Sequence, residues 1–125
     1  MDSLEEKIFK LKNVLMKVWS IESSSKWTPQ NPAKGQCGVT ALVVNDLFGG
    51  EIMKTPTSEG WHFYNKINGQ RYDLTESQFS EAIEYMDIPS NREEAFSDTN
   101  ERQYNYLKTN VYKNFLKTNN IIISN

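Results

Sequence analysis

The segment WHFYNKINGQRYDLT, residues 61–75, constrains the fold more than any other stretch of the chain. Asn68-Gly69 is the favoured pair for a two-residue type I′ turn, which needs positive φ at both central positions. Aromatic and β-branched residues flank the pair, so the pattern predicts a tight antiparallel hairpin. A two-residue turn also sets the register: Ile67 opposes Gln70, Lys66 opposes Arg71 and Tyr64 opposes Asp73. Side chains alternate faces along a strand, which puts His62, Tyr64, Asp73 and Thr75 on one face. His62 and Asp73 become diagonal neighbours, about 7–8 Å apart by backbone and closer between side-chain tips. A turn one residue longer or shorter would place them on opposite faces.

Around the hairpin the pattern is mostly helical. Leu4, Ile8, Leu11, Leu15 and Val18 recur at spacings of three and four, so residues 3–19 read as an amphipathic helix. Residues 20–36, with Ser23-Ser24-Ser25, Pro29, Pro32 and Gly35, read as loop. Gly38–Phe48 is apolar on nearly every face; Val and Thr favour a strand, whereas its length and Gly49-Gly50 favour a buried helix with a glycine stop. The helix is the preferred reading. Residues 51–54 then form a short strand before Pro56. Thr75 with Gln78 fits a capping box, predicting a helix from Glu76 to about Met86. Residues 87–99 read as loop, 100–118 as a last amphipathic helix, and the tail NNIIISN as a short docked strand. The expectation is one α+β domain over residues 1–125 with an antiparallel sheet.

Charge excludes some classes of partner. Against 14 Lys+Arg stand 16 Asp+Glu, a net charge of −2, so no clustered basic surface for nucleic acid or anionic membrane is expected. No apolar run approaches the roughly 18–20 residues that span a bilayer, and the N-terminus lacks the basic and apolar regions of a secretory signal. One cysteine forms no internal disulfide, and the chain reads as soluble and cytoplasmic. One cysteine and one histidine exclude zinc sites built from several such ligands. No metal or organic cofactor is expected.

Cys37 and His62 are therefore the only members of their kinds. At a helix N-terminus, free N–H groups and the macrodipole would stabilise a thiolate, lowering its pKa toward the range of roughly 3.5–7.5 found at activated thiols. Each residue has an ordinary alternative: a small buried hydrophobe for Cys37, a satisfied strand residue for His62, and a cap or turn residue for Asp73. Together they form a nucleophile, base and orienter in sequence order.

These residues carry a resemblance. GQCGVTALVV followed by HFYNKINGQRYDLT resembles the transglutaminase-like branch of the papain-like cysteine fold, over about residues 35–75. More closely, GQC, VTALVV, FGGEI, YDLT and SQF, spread over most of residues 15–80, resemble the small bacterial proteins of the YunG family. The broader resemblance implies a Cys opening a central helix, a His on the next strand and an Asp on the strand after it. Residue by residue it implies Cys37 as nucleophile, His62 as general base and acid, and Asp73 as orienter. Papain-like enzymes place an oxyanion Gln a few residues upstream of the Cys and transglutaminases a Trp further back; here Gln36 directly precedes Cys37 and is the first candidate. Trp27, Trp61 and Tyr64 are candidate groove residues.

The first expectation is a cysteine hydrolase or acyltransferase, whether peptidase, amidase, deamidase or transglutaminase-like, acting on a peptide, protein or small amide or ester through a thioester. The alternative is an inactive papain-like scaffold that binds a peptide or protein. A thiol redox sensor is a weaker third reading, since no second cysteine resolves an oxidised form.

Overall fold

The computed structural model describes residues 3–118. In chain order it contains α1 (Leu4–Val18), α2 (Cys37–Phe48), β1 (Glu51–Thr57), β2 (Gly60–Ile67), β3 (Gln70–Tyr72), a 3-10 turn (Glu76–Gln78), β4 (Ile88–Pro89), α3 (Arg92–Phe96) and α4 (Glu101–Thr118). The architecture is α+β, with the strands in one antiparallel sheet of order β3-β2-β1-β4.

The Asn68-Gly69 turn forms as the sequence predicts, with φ of 52° and 79°. Ile67 pairs with Gln70, Lys66 with Arg71 and Asn65 with Tyr72, the expected register. A second hairpin joins β1 to β2 through Ser58 and Glu59, pairing Thr57 with Gly60. That strand runs past the expected residue 54. Pro56 is tolerated because β4 pairs only with Met53 and Lys54, which leaves Pro56 on an open edge.

The apolar run is a helix. All residues from Cys37 to Val44 are buried, which an amphipathic surface helix could not achieve. The sheet covers one side, where Asn65 Nδ2 donates to the Ala41 carbonyl at 3.0 Å. Around the rest, Val39, Val43 and Val44 join Leu11 and Leu15 of α1 and Leu107 and Val111 of α4 in the main core. Gly49 stops α2 at a φ of 72°.

Two expectations fail. No helix runs from Glu76 to Met86: beyond the 3-10 turn, residues 79–87 are irregular. Asp73 Oδ1 accepts from both the backbone N–H and the hydroxyl of Thr75, and Gln78 Nε2 donates to Thr75 Oγ1. Those side chains are thus spent locally instead of capping a helix. Further on, Thr55 Oγ1 donates to the Glu84 carbonyl and accepts from Met86 N–H, and Tyr85 donates to Asp73. These bonds draw the segment over the sheet face opposite α2, so tertiary contacts override a moderate helical pattern. The second failure is the loop expected at 87–99, which holds β4 and α3. Asn91 caps α3, accepting from Glu94 N–H at 2.8 Å. The tail strand expected at NNIIISN lies outside the described residues.

Candidate active site

Side chains alternate along β2. Phe63 and Asn65 face α2, while His62 and Tyr64 face the segment 79–87. His62 is 2 % exposed, stacks on Tyr64 at 5.8 Å and meets Phe79 edge-on at 4.8 Å. Asp73 follows the end of β3, and its Oδ2 lies 2.7 Å from His62 Nε2, both side chains being almost fully buried. Oδ2 also accepts from Tyr85 Oη at 2.7 Å. Burial, with the Asp73 carboxylate behind it, pushes the Tyr85 phenol well above its ordinary range. Asp73 Oδ2 offers only an acceptor, so Nε2 carries a ring hydrogen, and in that tautomer of the imidazole Nδ1 is bare. That Nδ1 is buried and has no hydrogen-bond partner among the described residues.

Cys37 begins α2, as expected, but its electrostatic setting is the reverse of the expected one. Sγ packs against Phe63 on the α2 side of the sheet, and the thiol donates to Asp98 Oδ2 at 3.4 Å. The same carboxylate oxygen accepts from Gly38 N–H at 3.1 Å, taking a free amide of the helix N-terminus. Burial above all, then the adjacent Asp98 charge, pushes the Cys37 thiol up to about 12, while the Phe63 backbone bond pulls weakly the other way. The thiolate at neutral pH predicted from the helix dipole is therefore not what this site stabilises. Burial raises the Asp98 carboxyl above its ordinary value, against the bonds from Cys37 and Gly38.

The thiol and the imidazole approach from opposite sides of β2 and share one cavity of about 410 Å³. Cys37, His62, Asp98, Trp61, Phe79 and Lys26 are among its walls. Sγ and Nδ1 are not hydrogen-bonded to one another. Trp61 is half-exposed at the rim, with Lys54 Nζ 4.4 Å above its ring.

Three candidates do not reach this cavity. Gln36 is fully buried and its Nε2 faces the Ser20 carbonyl at 3.5 Å, so the amide turns toward the loop after α1. Trp27 packs against the main core. Tyr64 is buried, donates to Asp87 at 2.8 Å and accepts from Asp87 N–H. With Gln36 turned away, the Gly38 amide at the buried start of α2 is a donor next to Cys37, and it is taken by Asp98.

Sequence reasoning missed Asp98, Tyr85 and Phe79. Asp98 lies 61 positions from Cys37 in a polar stretch, and no local pattern marks it. One signal was present: Asn91 followed three residues later by Glu94 marks the start of α3, which places the following turn against another element. The close approach itself depends on Gly38, where a Cβ would lie 2.6 Å from Asp98 Oδ2 and 2.7 Å from the Ala95 carbonyl.

Residues 7–116 match the YunG protein family. Over 98 residues the chain is 60 % identical to the Bacillus subtilis (strain 168) protein called "Uncharacterized protein YunG", covering 78 % of this chain and 85 % of that one. No solved structure matches. With most of its length matched by the family and by this relative, the chain belongs to the YunG family.

Proposed function

We propose that this protein is a thiol hydrolase or acyltransferase of papain-like, transglutaminase-like design, acting on an amide or ester of a peptide, a protein or a small molecule. One observation carries the reading. A buried carboxylate holds the single histidine at 2.7 Å and leaves its other ring nitrogen unpaired among the described residues, and the histidine and the single thiol residue line one cavity.

In the proposed reaction Nδ1 of His62 takes the proton of Cys37, and the sulfur attacks the acyl carbon. The imidazolium then protonates the leaving amine or alcohol, and a thioester remains on Sγ. Water or an acceptor amine attacks the thioester, His62 again moving the proton, and the thiol is regenerated. Asp73 fixes the ring in the tautomer that leaves Nδ1 bare. No metal or cofactor takes part, and the thiol needs a reducing compartment such as the cytoplasm.

A binding scaffold without chemistry is favoured by a different observation, the pairing of the thiol with Asp98. Incubating the protein with a panel of thioester-forming acyl electrophiles, followed by intact-mass measurement, separates the two. Acylation of Cys37 that turns over in wild type and stalls in His62→Ala supports the enzyme. No acylation of wild type at any pH from 5 to 10 refutes it.

A further inference from the structure

We infer that Asp98 is a displaceable latch on the Cys37 thiol, and that substrate binding exchanges its carboxylate for the acyl oxygen at Gly38 N–H. The inference deepens the proposed function and rests on Cys37 being its nucleophile.

The geometry has three parts. First, one oxygen, Oδ2 of Asp98, accepts from both the Cys37 thiol and the Gly38 amide. The first amide after a nucleophile at a helix N-terminus is well placed to stabilise an oxyanion, so this carboxylate occupies the place such an oxygen would take. Second, the latch is seated by shape. Gly38 lacks the Cβ that would collide with Asp98 and the Ala95 carbonyl. Third, the latch has room to leave. Asp98 is an exposed residue in the turn between α3, a five-residue helix, and α4, and it lines the cavity. His62 lines the same cavity and its buried Nδ1 has no partner among the described residues, which makes it the base that receives the thiol proton in this proposal.

The charged and titratable groups bearing on this contact come from every element around it. Asp98 faces Cys37 from the α3–α4 turn, and Asp73 acts on the thiol from beyond β3. Lys26 of the loop before α2 and His62 of β2 act on Asp98. Exchange breaks the bonds to Oδ2 and forms one from Gly38 N–H to the substrate oxygen. The thiol proton passes to Nδ1, and Asp98 leaves with its charge unchanged.

The test is alkylation of the single cysteine by iodoacetamide from pH 6 to 11, in wild type, Asp98→Asn, His62→Ala and the double variant. The expected result is a rate at pH 7.5 at least about tenfold higher in Asp98→Asn, with the midpoint of its pH profile moved down by about one unit or more. A higher plateau with an unmoved midpoint means the turn has only loosened, and overturns the latch. If Asp98→Asn shows no cooperative melt, Asp98→Ser is read in its place: the same downward shift of the midpoint supports the proposal, and an unmoved midpoint overturns it. His62→Ala separates the two readings. Acceleration by Asp98→Asn that His62→Ala leaves intact upholds the latch and removes His62 from the chemistry; slowing by His62→Ala without acceleration by Asp98→Asn does the reverse.

Discussion

Asp73→Asn is the most informative substitution, because the hydrogen-bond roles around Asp73 leave an amide no neutral way to fit. Oδ1 accepts from Thr75 N–H and Thr75 Oγ1, and Oδ2 accepts from Tyr85 Oη and His62 Nε2. A backbone N–H cannot become an acceptor, so the amide oxygen must remain at Thr75 and the NH₂ group must face His62 and Tyr85. Tyr85 can turn its hydroxyl. The imidazole can accept at Nε2 only by moving its hydrogen to Nδ1, and Nδ1–H cannot take a thiol proton.

Two charge-assisted bonds are lost or weakened, each worth roughly 1.5–3 kcal/mol. Partial recovery through the amide leaves an expected loss of about 2–4 kcal/mol. For a chain of this size that lowers Tm by roughly 8–16 °C. A helix-capping Asp would instead be nearly silent to Asn, since the two cap about equally. With one histidine in the chain, ¹⁵N NMR of the ring reads the tautomer without assignment: bare Nδ1 in wild type, protonated Nδ1 in Asp73→Asn. Acylation of Cys37 is expected to slow by a factor of about 10–10³, less than the loss of about 10⁴ known for a serine triad. An Asp73→Asn variant that melts within about 2 °C of wild type and keeps Nε2–H would refute the reasoning.

Three further outcomes follow from the structure. Above the ordinary thiol value of 9.0 the unfolded chain releases the Cys37 proton while the folded chain holds it to about 12, so stability should fall across that window; Tyr64, raised to about 12 chiefly by burial, adds to the same trend, and Cys37→Ala should flatten the decline in Tm between pH 9 and 11. Gly38→Ala should destabilise by about 1–3 kcal/mol in urea denaturation, because the Cβ overlap with Asp98 and the Ala95 carbonyl outweighs the gain of roughly 1 kcal/mol in helix propensity. Arg71→Ala breaks a bidentate pair with Asp87, whose carboxyl Arg71 holds below its usual range; both groups are well exposed, so the loss should stay near 1 kcal/mol, be present above the ordinary carboxylate range and vanish as pH falls.

The parts of this fold legible in the sequence are those whose causes are local. Asn68-Gly69 sets the turn, the turn sets the register, and the register places Asp73 beside His62 without any long-range information. The length of the 38–48 run and its closing glycines mark a helix even though its faces do not differ. The segment 76–86 was not legible, because Thr55, Asp73 and Tyr85 outbid its helical pattern from elsewhere in the chain. Asp98 was least legible of all. It is one Asp in FSDTN, and only the packing of α3 against Gly38 gives it a role.

That packing decides which electrostatic effect governs the thiol. A helix N-terminus favours an anion by about 0.3–1 kcal/mol, and up to about 2 in a partly buried setting. A carboxylate 3.4 Å from the sulfur opposes a thiolate, though solvent screens it because Asp98 is itself an exposed residue. Desolvation of the buried sulfur outweighs the dipole, and the Asp98 charge adds to it in the same direction. With Asp98 in place the site therefore holds a neutral thiol and an imidazole whose bare nitrogen has no partner. In the proposed mechanism, moving Asp98 away frees the Gly38 amide and removes the second cause holding the proton on sulfur, while burial still opposes the thiolate. The structure holds Cys37 with Asp98; the proposal is that whatever enters the cavity and competes for Gly38 N–H exchanges that partner for His62.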